Sequence, residues 1–435
     1  MQQSALATTQ LGGIRNRLWV LASALIALLA ISPAHAQNAG TTTATIDTTA
    51  EAGEADAVPR RRFTKFNEYD GPISTFRYGF GFIYEAMGVE QDEASKQQID
   101  MEPDAGLRDF RLLFKGRFKT KRPISWTMGY MYDGAEDEWR FRQTGILVAV
   151  PELAGKFFIG RTKEGYSQTK VMVGYFIWGA ERSQSLDAFI PILADGIKYM
   201  GYLPKQRLAF SLGWFGDVLS EKEKFSTADN QVVTHLVWQP ILSEESHEVL
   251  HLGIMGRRAK PDDGFAREKS KPGAYLAPNF LDTGKFAADQ SRTMGLEAVY
   301  RNGPLLFAGE YNWQQDDALT GERPVFHGGD ATMTWMITGE TRPYNAPAAF
   351  FNAVSPDRSV FDGGGGAVEA ILNVSYNDFD DGSFQGGKFS RLTSMINWHL
   401  DDLLHVSFIY GYSKLDRFGL TGTTQFFQTR FLIYL

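Results

Sequence analysis

The chain ends in Phe427-Gln428-Thr429-Arg430-Phe431-Leu432-Ile433-Tyr434-Leu435. In an extended strand side chains alternate between two faces. Phe427, Phe431, Ile433 and Leu435 therefore share one face, and Gln428 and Arg430 the other. Large apolar groups on every second residue, up to the final carboxylate, suit a transmembrane β-barrel. Its last strand meets lipid outside and a wet lumen inside, and pairs with the first strand to close the sheet.

The same alternation recurs upstream. Phe110, Leu112, Phe114 and Phe118 alternate with Asp109, Arg111, Lys115 and Arg117. Met294, Leu296, Ala298 and Tyr300 alternate with Thr293, Gly295, Glu297 and Arg301, and Leu404, Val406, Phe408, Tyr410 and Tyr412 oppose His405, Ser407 and Ser413. The first half of the chain offers segments 76–87, 106–119, 124–133, 139–150, 156–163, 195–203, 206–217 and 230–239. The second half offers 248–259, 291–301, 304–315, 330–340, 365–378, 388–400, 403–415 and 425–435. The pattern predicts an all-β fold, a transmembrane antiparallel β-barrel of 16 strands, wide enough for an aqueous channel. Short turns such as 151–155 and 301–304 fall at the periplasmic end, and longer loops (88–105, 164–194, 260–290, 316–329) at the outer end. Connection 341–364 is long but falls at the periplasmic end. Loop 164–194 carries Val171, Tyr175, Phe176, Ile177, Trp178 and Phe189, too apolar to wave in water, and is expected to fold into the bore. The alternative is packing against a neighbouring subunit.

Ahead of the barrel, Arg15 and Arg17 precede the apolar run Leu18–Ile31 and the site Ala34-His35-Ala36. These are the parts of a cleavable signal peptide over 1–36, and the export they direct leads to the bacterial outer membrane. Residues 37–62, rich in Thr and Ala and ending in Arg60-Arg61-Arg62, read as a disordered leader before a porin domain at 63–435. The chain has no cysteine, which excludes disulfides and thiolate chemistry. Its 44 Lys and Arg against 51 Asp and Glu give a net charge of −7, which argues against nucleic acid as partner.

Several stretches, taken as a set, resemble the phosphate-selective porin O and P family. They are Gly160-Arg161-Thr162-Lys163-Glu164, Glu181-Arg182-Ser183, Gly295-Leu296-Glu297-Ala298, Thr338-Gly339-Glu340-Thr341-Arg342-Pro343-Tyr344, Gln385-Gly386-Gly387-Lys388 and the 427–435 ending. The resemblance implies a homotrimeric 16-stranded outer-membrane porin for small anions, phosphate among them, with arginines along the path and lysines at the constriction. Two stretches depart from the family pattern. Lys163-Glu164-Gly165-Tyr166-Ser167 replaces Lys-Glu-Pro-Phe-Ser, and the last residue is Leu435 instead of Phe.

An anion leaving water must find new hydrogen-bond donors, and the guanidinium fork suits an oxyanion best. The lumen faces offer Arg111, Lys115, Arg117, Arg140, Arg142, Arg161 and Lys163 as a substrate path, with Lys170 and Arg182 on the inserted loop. Glu297, Glu310, Glu340 and Glu369 are expected on the facing wall, giving a transverse field. Against this stands the reading in which these residues pair with one another in the wall. A differently selective pore, or a structural or adhesive barrel shut by loop 164–194, are the alternative functions.

His247-Glu248-Val249-Leu250-His251 matches the zinc-protease signature, but that chemistry needs both histidines on one helical turn. In a strand they lie about 13 Å apart. No G-x-S-x-G is present, and Gly363–Gly366 lacks the Lys-Ser/Thr of a phosphate loop. Neither catalysis nor a cofactor is expected.

Overall fold

The computed structural model describes residues 66–134, 136–216 and 228–435. The signal peptide and leader expected over 1–62 lie outside the described residues, as does the Arg60–Arg62 run. Sixteen antiparallel strands close into a barrel. They are β1 (Thr75–Gln91), β2 (Asp104–Phe118), β3 (Ile124–Asp133), β4 (Glu138–Val150), β5 (Gly155–Thr162) and β6 (Ala194–Leu203). Next come β7 (Leu208–Gly216), β8 (Ala228–Ser243), β9 (Glu248–Pro261), β10 (Phe286–Asn302) and β11 (Leu305–Ala318). The last are β12 (Val325–Met336), β13 (Ala367–Asp381), β14 (Phe384–His399), β15 (Leu404–Arg417) and β16 (Leu420–Tyr434). Each segment that alternates in the sequence is a strand, including 195–203, whose pattern is weakest.

The terminal stretch closes the sheet. β16 pairs with β1 from Gly81↔Tyr434 to Gln91↔Thr424, and the Leu435 amide donates to the Phe80 carbonyl at 2.8 Å. A slip of one residue would turn Arg430 and Gln428 to lipid and Phe431 to the lumen, so the environment on each face fixes the register. Phe431 is exposed on the outer surface, whereas Gln428 and Arg430 are buried inside.

Elsewhere the division is as sharp: Met294 and Leu296 are 62% and 53% exposed, while the intervening Gly295 and the flanking Thr293 and Glu297 are buried. The outer surface carries two aromatic rows. Trp126, Trp238, Trp335 and Trp398 lie near the strand ends that adjoin the short turns and the 337–366 connection, and Trp139, Trp214 and Trp313 near the opposite ends. Trp313 pairs with His327 and Trp335 with Leu305. The offset from 327 to 335 corresponds to about 26 Å along a strand, or about 20 Å along the membrane normal at a tilt of about 40°, so the two rows flank most of the apolar band, about 25 Å tall, of a bilayer-spanning barrel.

Besides the connection between β5 and β6, three connections among the described residues are substantial. After β1, helix α1 (Glu93–Gln98) is capped by Asp92, whose carboxylate accepts from the Ser95 amide and also from the Thr423 amide and hydroxyl. That ties the outer loop to the seam strand β16. Residues 262–285 turn inward, with Tyr275 Oη donating to Asp133 at 2.9 Å and Phe280 packing on Phe389 and Phe426. Connection 337–366 is a genuine insertion at the periplasmic end, built on a Tyr344–Asn345/Phe350–Phe351 pair. The expected long loop 316–329 is instead a six-residue turn, 319–324. Asp316 and Asp317 resemble loop residues in sequence, but Asp316 continues the inward face of β11 and is buried.

Candidate functional site: the loop-filled lumen and its two charged walls

The long connection between β5 and β6, residues 163–193, runs into the bore. It carries α2 (Gln168–Val171), capped by Ser167, and α3 (Gln184–Phe189), capped by Ser183. Tyr166, Met172, Leu186 and Ile190 are fully shielded there. The loop is tied to the wall around much of its circumference. Arg257 of β9 pairs with Glu164 at 3.0 Å, Tyr166 Oη donates to Asn312 of β11 at 3.1 Å, and the Gln168 amide donates to Glu297 of β10 at 2.9 Å. The Ser185 amide donates to Asn377 of β13 at 2.9 Å, and Arg430 of β16 donates to the Ala180 carbonyl at 2.6 Å. Two glycines make room for it. A Cβ on Gly81 would run into the Tyr175 ring, and one on Gly295 would lie 2.7 Å from Tyr166 Oη.

From the other end, the Thr338–Tyr344 motif meets this loop. Arg342 Nη2 donates to both carboxylate oxygens of Glu369, at 2.8 and 2.9 Å, and its Nη1 donates to the Phe176 carbonyl at 2.9 Å. Gly339, at φ +101°, supplies the left-handed backbone that turns the motif inward. Phe176 and Tyr175 both pack edge-on against Tyr434.

The walls beside the loop differ in charge. Arg111 pairs with Asp109 at 2.7 Å and lies 4.1 Å from the Tyr175 ring centre. Arg142 of β4 faces the same group, with Arg111, Asp109, Tyr175 and Arg182 as its electrostatic neighbours. Arg108 forks onto Glu181 of the loop at 3.0 and 2.7 Å, and Arg430 reaches the same carboxylate at 2.6 Å. Five guanidiniums (Arg108, Arg111, Arg142, Arg182, Arg430) thus cluster with four carboxylates (Glu85, Asp109, Glu181, Asp187). Burial works against the Glu181 anion, but Arg108 and Arg430 outweigh it and hold its carboxyl well below the usual range. On the loop, burial lowers Lys170 and raises Glu164, with Asp187 and Arg257 as the respective partners.

β10, β11 and β12 carry Glu297, Glu310 and Asp330 into the lumen. β10 lies eight steps round the sheet from β2, and β12 eight from β4, so in a ring of sixteen the cationic and acidic arcs stand diametrically opposed. Asn312 donates to Glu310 at 3.1 Å and Asn373 to Asp330 at 3.0 Å.

The nine residues expected along a path separate into groups. Arg111, Arg142 and Arg182 come together. Lys115 and Arg117 sit lower on β2, and Arg117 is exposed at the strand end. Arg140 stands near the outer end of β4 beside Glu136 and Glu138. Arg161 forks onto Asp195 at 2.8 and 2.9 Å within the wall. Lys163 donates to the Val171 and Met172 carbonyls at 2.8 Å each, Arg182 to those of Thr169 and Met172, and Lys170 to that of Leu186. These three cations therefore fold the loop. Glu369 is neutralised by Arg342, and Glu340 lies in the periplasmic insertion, where it accepts from Thr338.

Sequence reasoning missed Arg108, because strict alternation sends it outward. A bulge opposite Ile83/Tyr84 leaves Arg108 unpaired and turns it inward beside Asp109. A second irregularity, between Met128 and Tyr130, sets Arg142. Arg342 could have been found, since it sits in the most distinctive motif of the chain.

A sixteen-stranded barrel narrowed by a loop from its own wall is the architecture of an outer-membrane porin. The model of the family described as phosphate-selective porin O and P matches residues 76–432, and the chain belongs to that family of outer-membrane proteins. An uncharacterized protein of Caulobacter vibrioides is 29% identical over 176 residues, 40% of this chain and 35% of that protein; the match therefore spans about a third of the relative's length. Among solved structures, the anion-selective porin from Comamonas acidovorans has a TM-score of 0.53 at 12% identity, covering 83% of this chain and 100% of that one. The outer-membrane protein OmpT of Vibrio cholerae, in its trimer form, gives 0.54 at 12% identity, covering 83% and 100%. At such identities the likeness is one of fold.

Proposed function

We propose that the protein, exported with removal of residues 1–36, passes small anions passively across the outer membrane as a homotrimer, with phosphate or a similar oxyanion preferred. The observation that carries this reading is a set of unused donors. The Nε groups of Arg111, Arg142 and Arg430 are buried without a hydrogen-bond partner, all in the cluster beside the inserted loop, where Glu85 meets Arg108 and Arg430 only as ion pairs. Buried donors are nearly always satisfied, so three in one place suit a ligand that arrives with acceptor oxygens. The surplus of guanidinium over carboxylate there favours anions, and the opposed acidic arc supplies a field that orients them. Family membership and the anion selectivity named for the Comamonas porin support the same reading.

On this reading Arg111, Arg142 and Arg182 form the selective step, with Arg108 and Arg430 added to it. Lys115 and Arg117 guide ions at the periplasmic end and Arg140 at the outer end. Arg161, Lys163 and Lys170 act by positioning the wall and loop. Planar-bilayer recording under a KCl gradient tests it: the reversal potential should favour chloride, and phosphate should block the current. A cation-selective reversal potential would overturn it.

The tight filling of the lumen by 163–193 favours a second reading, a barrel kept shut by its loop. Absence of any conductance from folded, reconstituted protein would support that reading.

A further inference from the structure

His235 of β8, His251 of β9 and Glu297 of β10 meet on the inner wall of three consecutive strands. Both imidazole Nε2 atoms lie 2.7 Å from the same carboxylate oxygen, Glu297 Oε1. One ligand atom from each residue falls within 4.8 Å of the other two. All three residues are buried. The register explains the meeting. Glu297 stands opposite Gly253, where a Cβ would lie 2.6 Å from the Glu297 side chain. The missing side chain lets the carboxylate lie across β9, between His251 and His235.

We infer that His235, His251 and Glu297 form a binding site for a divalent transition-metal ion of the zinc type, inside the barrel and apart from the arginine cluster. Two imidazoles and one carboxylate are a ligand set that zinc accepts, with metal–ligand distances of about 2.0–2.2 Å and a fourth position left for water. The surrounding groups suit it. Glu297 Oε2 is held by the Gln168 amide, so Oε1 is the oxygen presented. His251 Nδ1 lies 2.7 Å from Tyr344 Oη, the outer contact that orients a metal-bound imidazole. Coordination at Nε2 places the His251 proton on Nδ1, where Tyr344 Oη accepts it. A cavity lined by Ser211, Lys198, Val171 and Phe350 reaches His235 and provides the approach.

The site shares only His251 with the literal His247–His251 motif. His247 lies in the β8–β9 turn with φ +50° and contributes nothing to the cluster. The other lumen pair, His399 and His405, faces a Glu369 already occupied by Arg342.

The test uses the full-length protein in detergent, stripped with chelator and reloaded with Zn²⁺, with bound metal measured by mass spectrometry. Co²⁺ spectra report the coordination. The expected result is one Zn²⁺ per chain and a Co²⁺ spectrum of low coordination number. Binding should be lost in His235→Ala and His251→Ala and unchanged in His247→Ala and His405→Ala. Tyr344→Phe should weaken it by about tenfold. Should an alanine variant fail to fold, His235→Gln and the wild-type Co²⁺ spectrum decide. No uptake by folded wild type, or equal uptake by the His235 and His251 variants, would overturn the site.

Discussion

Arg342, on the periplasmic connection, donates a hydrogen bond to the carbonyl of Phe176, on the loop that enters from the opposite end of the barrel. The two long insertions therefore meet inside the bore. The same guanidinium is neutralised by Glu369 of β13, so the loop is pinned to a charge-paired post in the wall. The porin fold supplies an open cylinder, and this contact sets how much of it remains open.

Removing one member of a buried ion pair leaves the other charge unpaired, at about 3–5 kcal/mol. Arg342→Ala is expected to lower the thermal midpoint and to make single-channel current noisier as the 163–193 loop loosens. Arg342→Lys should not restore it, because one ammonium cannot stand at both the Nη2 position that serves Glu369 and the Nη1 position that serves Phe176. Bilayer noise analysis and thermal unfolding of both variants check this.

Gly81→Ala should displace Tyr175, whose ring occupies the space of the new methyl, and Gly295→Ala should displace Tyr166. Both substitutions leave the strand backbone intact, so folding yield should hold while conductance changes. Unchanged conductance in both would show that the loop tyrosines do not bound the path.

Within the cationic arc, Arg111→Ala and Arg142→Ala are each expected to weaken phosphate block by about tenfold, the loss of roughly one charge-assisted hydrogen bond. Arg117→Ala, at the exposed strand end, should have a smaller effect, and Arg60→Ala none. Titration of the block with phosphate in bilayers separates the four variants.

The pH dependence follows from Glu181. Arg108 and Arg430 hold its carboxyl below the unfolded value of roughly 4.3. A depressed carboxylate stabilises the folded loop above the unfolded pKa, and that contribution fades as pH falls towards the folded one. Loop mobility should therefore rise on acidification below about pH 4, and Glu181→Gln should remove this dependence. Spin-label mobility at position 179 across pH 2–7 reads it directly.

The outer architecture was open to inspection in the sequence. Lipid and water impose a period of two on every strand, and that constraint fixed the strand number, the seam at 427–435 and the inward fate of an apolar outer loop. Local alternation carries no information about partners across the bore. It placed Glu297 and Glu310 on a wall facing the arginines, yet it gave no sign that Lys163, Lys170 and Arg182 would donate to loop carbonyls. Nor could it reveal Arg108, whose direction depends on a bulge, or bring His235 to His251, which needs the β8–β9–β10 register. Away from the bulges, which side of the sheet a residue occupies is decided by its neighbours in the chain. What it touches is decided by closure of the cylinder, because only closure brings groups hundreds of residues apart within hydrogen-bond reach.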